Sequence, residues 1–228
     1  MIFHNKNKDA HKNITEMDID AEKIKRVYTT KYLGMWIDDM LNWKHHVQYI
    51  SKSLLKYFGI FNHIKHIVTR PVARQLYFAF IYSRVSYGIE VYGSCSQTLL
   101  ATLQIIQNKL LKLVLRLDYR TATNVLHRDL HLLKVCDIQK VKILCFVNNC
   151  LLKNCPDIFN GYYTERETEY NLRNRGLNVP RTRTINGSLS VYVHGAKLWN
   201  GIPESIKQHR HQLNFKKYLI KYFTDRYI

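Results

Sequence analysis

Acidic side chains are scarce in this chain: 17 Asp and Glu stand against 35 Lys and Arg, a formal net charge of +18. Self-repulsion of that size is tolerated most easily beside a polyanion, which puts nucleic acid ahead of an anionic membrane surface as partner. No clean basic amphipathic anchor supports the membrane alternative. No apolar run approaches the roughly 18 residues that cross a bilayer, and the opening MIFHNKNKDAHKN holds no apolar leader segment. An intracellular chain, nuclear or cytoplasmic, without a membrane partner, is the expectation. Cysteine is sparse and odd in number (Cys95, Cys136, Cys145, Cys150 and Cys155). In their apolar surroundings these residues are expected as reduced, packed thiols. Internal repeats and low-complexity tracts are absent from the sequence.

What is present is enough to fold. In 228 residues, 46% are hydrophobic, which suffices for one large domain or two small ones. Short β-prone pieces come first, at Met1-Ile2-Phe3, Ile24 to Val27 and Tyr32 to Ile37, and predict a small hairpin or sheet edge that would be marginal alone. From Asn42 the period turns helical, with Leu54, Phe58, Phe61, Ile64 and Val68 on one face. Pro71 is placed to open the next helix, which carries Leu76, Phe80 and Ile81 and loses regularity at Tyr87-Gly88 and Tyr92-Gly93. Thr98 is the expected N-cap of a long helix presenting Leu99, Leu103, Ile106, Leu110, Val114 and Leu117. Asp137 is the expected cap of another, with Ile138, Val141, Leu144 and Leu151 inward, ended by Pro156. A polar connection over 160–187, with Arg166, Arg173, Arg175, Arg181 and Arg183, is long for a compact domain. A helix-rich piece over about 190–224 follows.

Two stretches are distinctive in their order of residues. The first is Lys31-Tyr32-Leu33-Gly34, followed by Ile37-Asp38 and Leu41-Asn42-Trp43-Lys44-His45-His46. The second is Asn174-Arg175, Val179-Pro180-Arg181, Arg183-Thr184 and Ala196-Lys197-Leu198-Trp199-Asn200-Gly201-Ile202-Pro203. Between them stand Leu76-Tyr77, Tyr87-Gly88 and Glu90-Val91-Tyr92-Gly93. The set resembles, over nearly the whole chain, the back end of the reverse transcriptase of LINE-type, non-LTR (jockey-like) retrotransposons. Each tetrapeptide is weak alone, and the order and spacing give the set its specificity. Tyr92 replaces a tryptophan usual in the family.

The resemblance implies a mainly α fold: a helical thumb-like bundle with a small N-terminal β-hairpin remnant of a polymerase palm. It divides the chain into a palm-end hairpin (1–41), a helical thumb (42–157) and a basic linker with a helical tail (158–228). It implies a fragment of an RNA-directed DNA polymerase that holds RNA template and DNA primer, with Tyr32, Leu33 and Gly34, after Lys31, as a primer grip. Glycine suits such a role because a nucleic-acid backbone can approach it closely. The two Mg²⁺ ions of catalysis are expected in a palm upstream of Met1, with no cofactor or catalytic residue in this chain, and upstream palm or endonuclease regions are possible partners. Charge alone adds Arg181, Arg183, Lys197, Lys216, Lys217 and Lys221, which face few acids and have Tyr192, Trp199 and Tyr218 interleaved; stacking rings beside cations hold strands without reading sequence. The alternatives are a free-standing basic nucleic-acid-binding remnant and a decayed reading frame without function.

Three patterns imitate other chemistry. Trp36-Ile37-Asp38-Asp39 resembles a polymerase metal turn but follows Lys31-Tyr32-Leu33-Gly34, whereas the catalytic pair precedes that motif in the family; Asp39 is expected to cap a turn or helix. His127-Arg128-Asp129-Leu130 copies a kinase loop without its Gly-rich partner and is expected as a polar helix face. Cys145, Cys150 and Cys155, five residues apart, are expected on different helix faces, without the pairing of a zinc site. The histidine pairs His45-His46, His63 with His66, and His209 with His211 are expected in solvent or at caps.

Overall fold

In a computed structural model, residues 1–4, 14–19, 22–166, 176–211 and 214–227 are described. The fold is mainly helical, with two small antiparallel hairpins in place of the one expected. In the first hairpin, β1 (Glu16–Ile19) and β2 (Glu22–Lys25) set Glu16 opposite Lys25 and Asp18 opposite Lys23. Opposite charges across a strand pair favour that register. The second hairpin joins β3 (Thr29–Tyr32) to β4 (Met35–Asp38). Both turn residues, Leu33 (φ 45°) and Gly34 (φ 80°), are left-handed, as a tight two-residue hairpin turn demands. Met1-Ile2-Phe3 forms no strand, although His4 N–H donates to Asp39 O at 3.0 Å.

The helical part begins where Asp38 ends β4. Its carboxylate accepts the backbone N–H groups of Met40 (3.2 Å), Asn42 (3.0 Å) and Trp43 (2.8 Å). That clamp turns the chain through left-handed Leu41 and Trp43 into α1 (Lys44–Leu55). Asp38 therefore does the capping expected of Asp39, which instead meets His4 Nε2 at 3.1 Å. The face predicted to run to Val68 breaks at Lys56 between α1 and α2 (Tyr57–Ile64). Leu54 and Phe61 are fully buried; Phe58, Ile64 and Val68 pack at the margin.

Pro71 sits in the first turn of α3 (Arg70–Leu76), where its missing N–H costs nothing. The helix then widens into a π-helical stretch, Tyr77–Tyr82, before α4 (Ser83–Ser86). That widening shifts the buried face, which is why Phe80 is 38% exposed while Tyr77, Ile81 and Val85 are buried. Left-handed Gly88 separates α4 from α5 (Ile89–Tyr92). The long α6 (Gln97–Val114) starts after Ser96, two residues earlier than a Thr98 cap predicts. Then come α7 (Thr123–Asp129) and α8 (Val135–Leu151). Lys134 precedes α8, so Asp137 lies in its first turn and is no cap. There Asp137 accepts from Tyr227 Oη at 2.7 Å and pairs with Lys140 at 2.8 Å.

α8 is the axis of the bundle. It is buried on several sides, through Val135, Ile138, Val141, Ile143, Leu144 and Val147, and α5, α6, α10 and α12 pack on it. The tail consists of α9 (Ile185–Ser188), α10 (Val191–Gly201), α11 (Glu204–Lys207) and α12 (Phe215–Thr224). One core runs from Trp43 in front of α1 to Phe223 in α12.

Candidate nucleic-acid interface

The four residues of the Lys31–Gly34 stretch stand at an exposed hairpin tip: Tyr32 is 62% and Leu33 68% exposed. The tip is braced, since Tyr87 Oη donates to Leu33 O at 2.6 Å. A non-glycine residue in left-handed backbone costs roughly 1–2 kcal/mol, and the Tyr87 bond offsets part of that cost. β4 is tied to α1 by Trp36 N–H donating to His46 Nδ1 at 3.3 Å. His46 is 2% exposed, not solvated as its sequence position suggests. Burial lowers its pKa; because Nδ1 accepts from Trp36 N–H, the ring proton resides on Nε2, which has no partner among the described residues.

Between the hairpin and the bundle lies a cleft of about 390 Å³ lined by Lys31, Gly34, His46, Tyr49, Ile50, Ser53, Ser83, Arg84 and Tyr87. No acidic residue lines it. Lys31 Nζ lies 5.4 Å from the centre of the Tyr49 ring. The sequence pattern points to the Lys31 and Gly34 side of this cleft and misses Tyr49, Ser53 and Arg84. Those three come from α1 and α4, and only the tertiary fold sets the two helices beside the hairpin; no periodic signal marks them.

The other six predicted contacts lie elsewhere. Lys216, Lys217 and Lys221 are exposed on α12, Lys217 and Lys221 opposite the face that buries Phe215, Leu219 and Phe223 and Lys216 at its edge. Lys197 is exposed on α10. Arg181 and Arg183 are exposed on the strap before α9; Arg173 and Arg175 lie outside the described residues. α10 and α12 lie on α8, whereas β4 lies on α1, so hairpin and tail cations sit on different parts of the fold. Lys140 and Lys142 of α8 are each paired with a carboxylate, Asp137 at 2.8 Å and Glu90 at 3.2 Å; burial is the main cause that lowers the His194 pKa, with Lys197 and Lys140 adding to it.

The interleaved aromatics are not free stacking platforms. Trp199 is buried, with its ring centre 6.1 Å from that of Phe215, and Tyr218 lies flat against His209 at 3.9 Å. Tyr192 packs against Tyr162 and Tyr163. Asn200 instead clamps the strap, accepting from Leu177 N–H (2.7 Å) and donating to Leu177 O (3.0 Å). The landmark around Trp199 and Asn200 therefore builds the tail.

Two further expectations change. His127 is fully buried and not part of a polar face; its Nδ1–H donates to Leu132 O (3.1 Å), and Nε2 lies 2.9 Å from the Asn108 carboxamide oxygen. Cys150 and Cys155 do not diverge, because α8 ends at Leu151 and the chain folds back, bringing the sulfurs to 2.8 Å. All five cysteines are unbridged.

No family model, curated protein or solved structure matches this chain. Its chemistry is therefore argued from its own residues. Asp38 and Asp39 do not fit a Mg²⁺ site: the Asp38 oxygens are taken by three backbone N–H groups, and Asp39 faces His4. Among the described residues no group of three or more His, Cys, Asp or Glu could hold a metal ion. Lys31 and Arg84 offer cationic donors of the kind that pair with phosphate oxygens. No helix among the described residues is long and apolar enough to cross a membrane.

Proposed function

We propose that this chain is the thumb and tail portion of a non-LTR retrotransposon reverse transcriptase, and that it holds the RNA template–DNA primer duplex. The observation that carries this reading is the Lys31–Gly34 tip. It is exposed, braced by Tyr87, and set at the mouth of an acid-free cleft with Lys31 and Arg84 on its walls. A β-turn whose Gly34 lacks a Cβ lets a strand backbone come close. The net charge of +18 supplies the long-range attraction. Lys197, Lys216, Lys217, Lys221, Arg181 and Arg183 would meet phosphates farther along. Catalytic carboxylates and their Mg²⁺ would come from a preceding palm, since Asp38 is taken by three backbone N–H groups and Asp39 by His4.

The test is binding of the purified chain to an RNA–DNA hybrid between 50 and 200 mM salt. Counterion release predicts a steep, log-linear fall in affinity. A flat response would reject the reading. So would incorporation of nucleotides by the chain alone, because that needs metal ligands assigned here to another segment. Equal affinity for hybrid and duplex DNA would favour a free-standing basic binding module.

A further inference from the structure

We propose that the cleft behind the hairpin is a pocket for one nucleotide unit, with its phosphate held by Arg84 and Lys31 and its base against the rings of Tyr49 and Tyr87. This goes beyond the duplex-holding reading, because it concerns a discrete pocket and not a surface that tracks a strand. Its volume, about 390 Å³, is near the lower end of the ~300–1,000 Å³ typical of small-molecule sites. That is room for one phosphate with its sugar and base.

Its chemistry selects the anion. Arg84 and Lys31 have no carboxylate partner among the described residues, and none of the lining residues is acidic. A guanidinium presents a planar fork of donors that matches phosphate oxygens, and an ammonium adds a point charge. The Ser53 hydroxyl has no protein partner among the described residues and supplies a further donor. Ser83 does not, since its Oγ donates to Ala79 O. His46, 2% exposed, also lines the cleft, and its Nε2–H has no partner among the described residues. A buried donor without a partner carries a desolvation cost.

The aromatic walls select what the phosphate carries. Tyr49 is 39% and Tyr87 55% exposed, and the Tyr87 hydroxyl is engaged by Leu33 O, which fixes its ring. A base stacking on a fixed ring loses little entropy. The Lys31 ammonium over the Tyr49 ring would swing toward the phosphate when the pocket fills.

The experiment is calorimetric titration of the full chain with AMP, ribose 5-phosphate, adenosine and citrate. AMP is expected to bind at least tenfold more tightly than either of its parts or citrate. Arg84→Gln and Lys31→Gln, both at exposed positions, should each weaken AMP at least tenfold, whereas Lys109→Gln, an equal loss of charge at an exposed site on α6, should not. No AMP binding, citrate binding as tightly as AMP, or all three variants behaving alike would overturn the pocket. Competition then separates the sources: displacement of AMP by a 5′-phosphorylated single strand, but not by its hydroxyl-ended twin, assigns the pocket to strand ends. Displacement by neither assigns it to free nucleotides. AMP binding without hybrid binding would leave the pocket standing and remove the duplex-holding reading; the reverse would remove only the pocket.

Discussion

Asp38 and His127 perform structural work under motifs that imitate catalysis. The Asp38 carboxylate gathers three N–H groups at the join of hairpin and bundle, so the aspartate pair of Trp36-Ile37-Asp38-Asp39 is a turn device. His127 stands in a kinase-like string yet lies at 0% exposure, where burial pushes its pKa down to about 4. The unfolded chain takes up that proton near pH 6.5. The stability His127 contributes is therefore complete above about pH 6.5 and lost as pH falls through about 4, on the order of 3 kcal/mol in all. Urea unfolding at pH 7 and pH 4.5 should show a smaller loss of stability for His127→Gln than for the parent chain. Burial lowers His46 and His194 as well, so some acid sensitivity should remain in the variant. An equal loss in both proteins would rule out His127 as a source.

At the scale of elements, the seam between α8 and α10 depends on Gly195. A Cβ there would lie 2.6 Å from Tyr163 Oη and 2.9 Å from Val147 Cγ2. Tyr163 is itself fixed, donating to Val191 O at 2.9 Å. Alanine improves helix propensity by about 0.5–1 kcal/mol, but overpacking costs about 1–3 kcal/mol. Gly195→Ala should therefore lower the urea midpoint, by a net of about 1 kcal/mol in stability; a raised midpoint would mean that the seam yields. Element boundaries were legible where one residue forces them, as at Pro71 and Gly88. They were not legible at α8, whose burial on several sides blurs the helical period, nor along Tyr77–Tyr82, where a wider turn shifts which side chains face inward. Tyr227 is likewise fixed by a distant partner: its Oη accepts from Lys134 N–H (3.0 Å) while donating to Asp137.

For the whole molecule, the excess of Lys and Arg should act as a diffuse term separate from the cleft. Substituting Lys216, Lys217 and Lys221 together with Gln should weaken every nucleic-acid sequence similarly. The log–log salt slope should flatten by about 0.9 for each duplex phosphate that the variant no longer neutralises. Binding measured at several salt concentrations checks this, and a loss confined to certain sequences would indicate base readout instead. All three side chains are exposed and none belongs to the buried face of α12, so the fold should survive the change.

Composition and helical periodicity are local properties, and the sequence alone determined them: a basic, mainly helical chain with a hairpin near its start, although the turn at Leu33-Gly34 falls inside the piece from Tyr32 to Ile37 that reads as one strand. The tertiary structure decided which charges and rings share a cavity. Arg84 and Tyr87, in and just beyond α4, and Tyr49 and Ser53 on α1 meet Lys31 only because Asp38 turns the chain and His46 binds the hairpin to α1. It also decided that Trp199 is core and not a stacking platform, because burial depends on which helix lies opposite. Such pairings join residues far apart in the chain, and periodicity records only which face of an element is apolar, not what covers it.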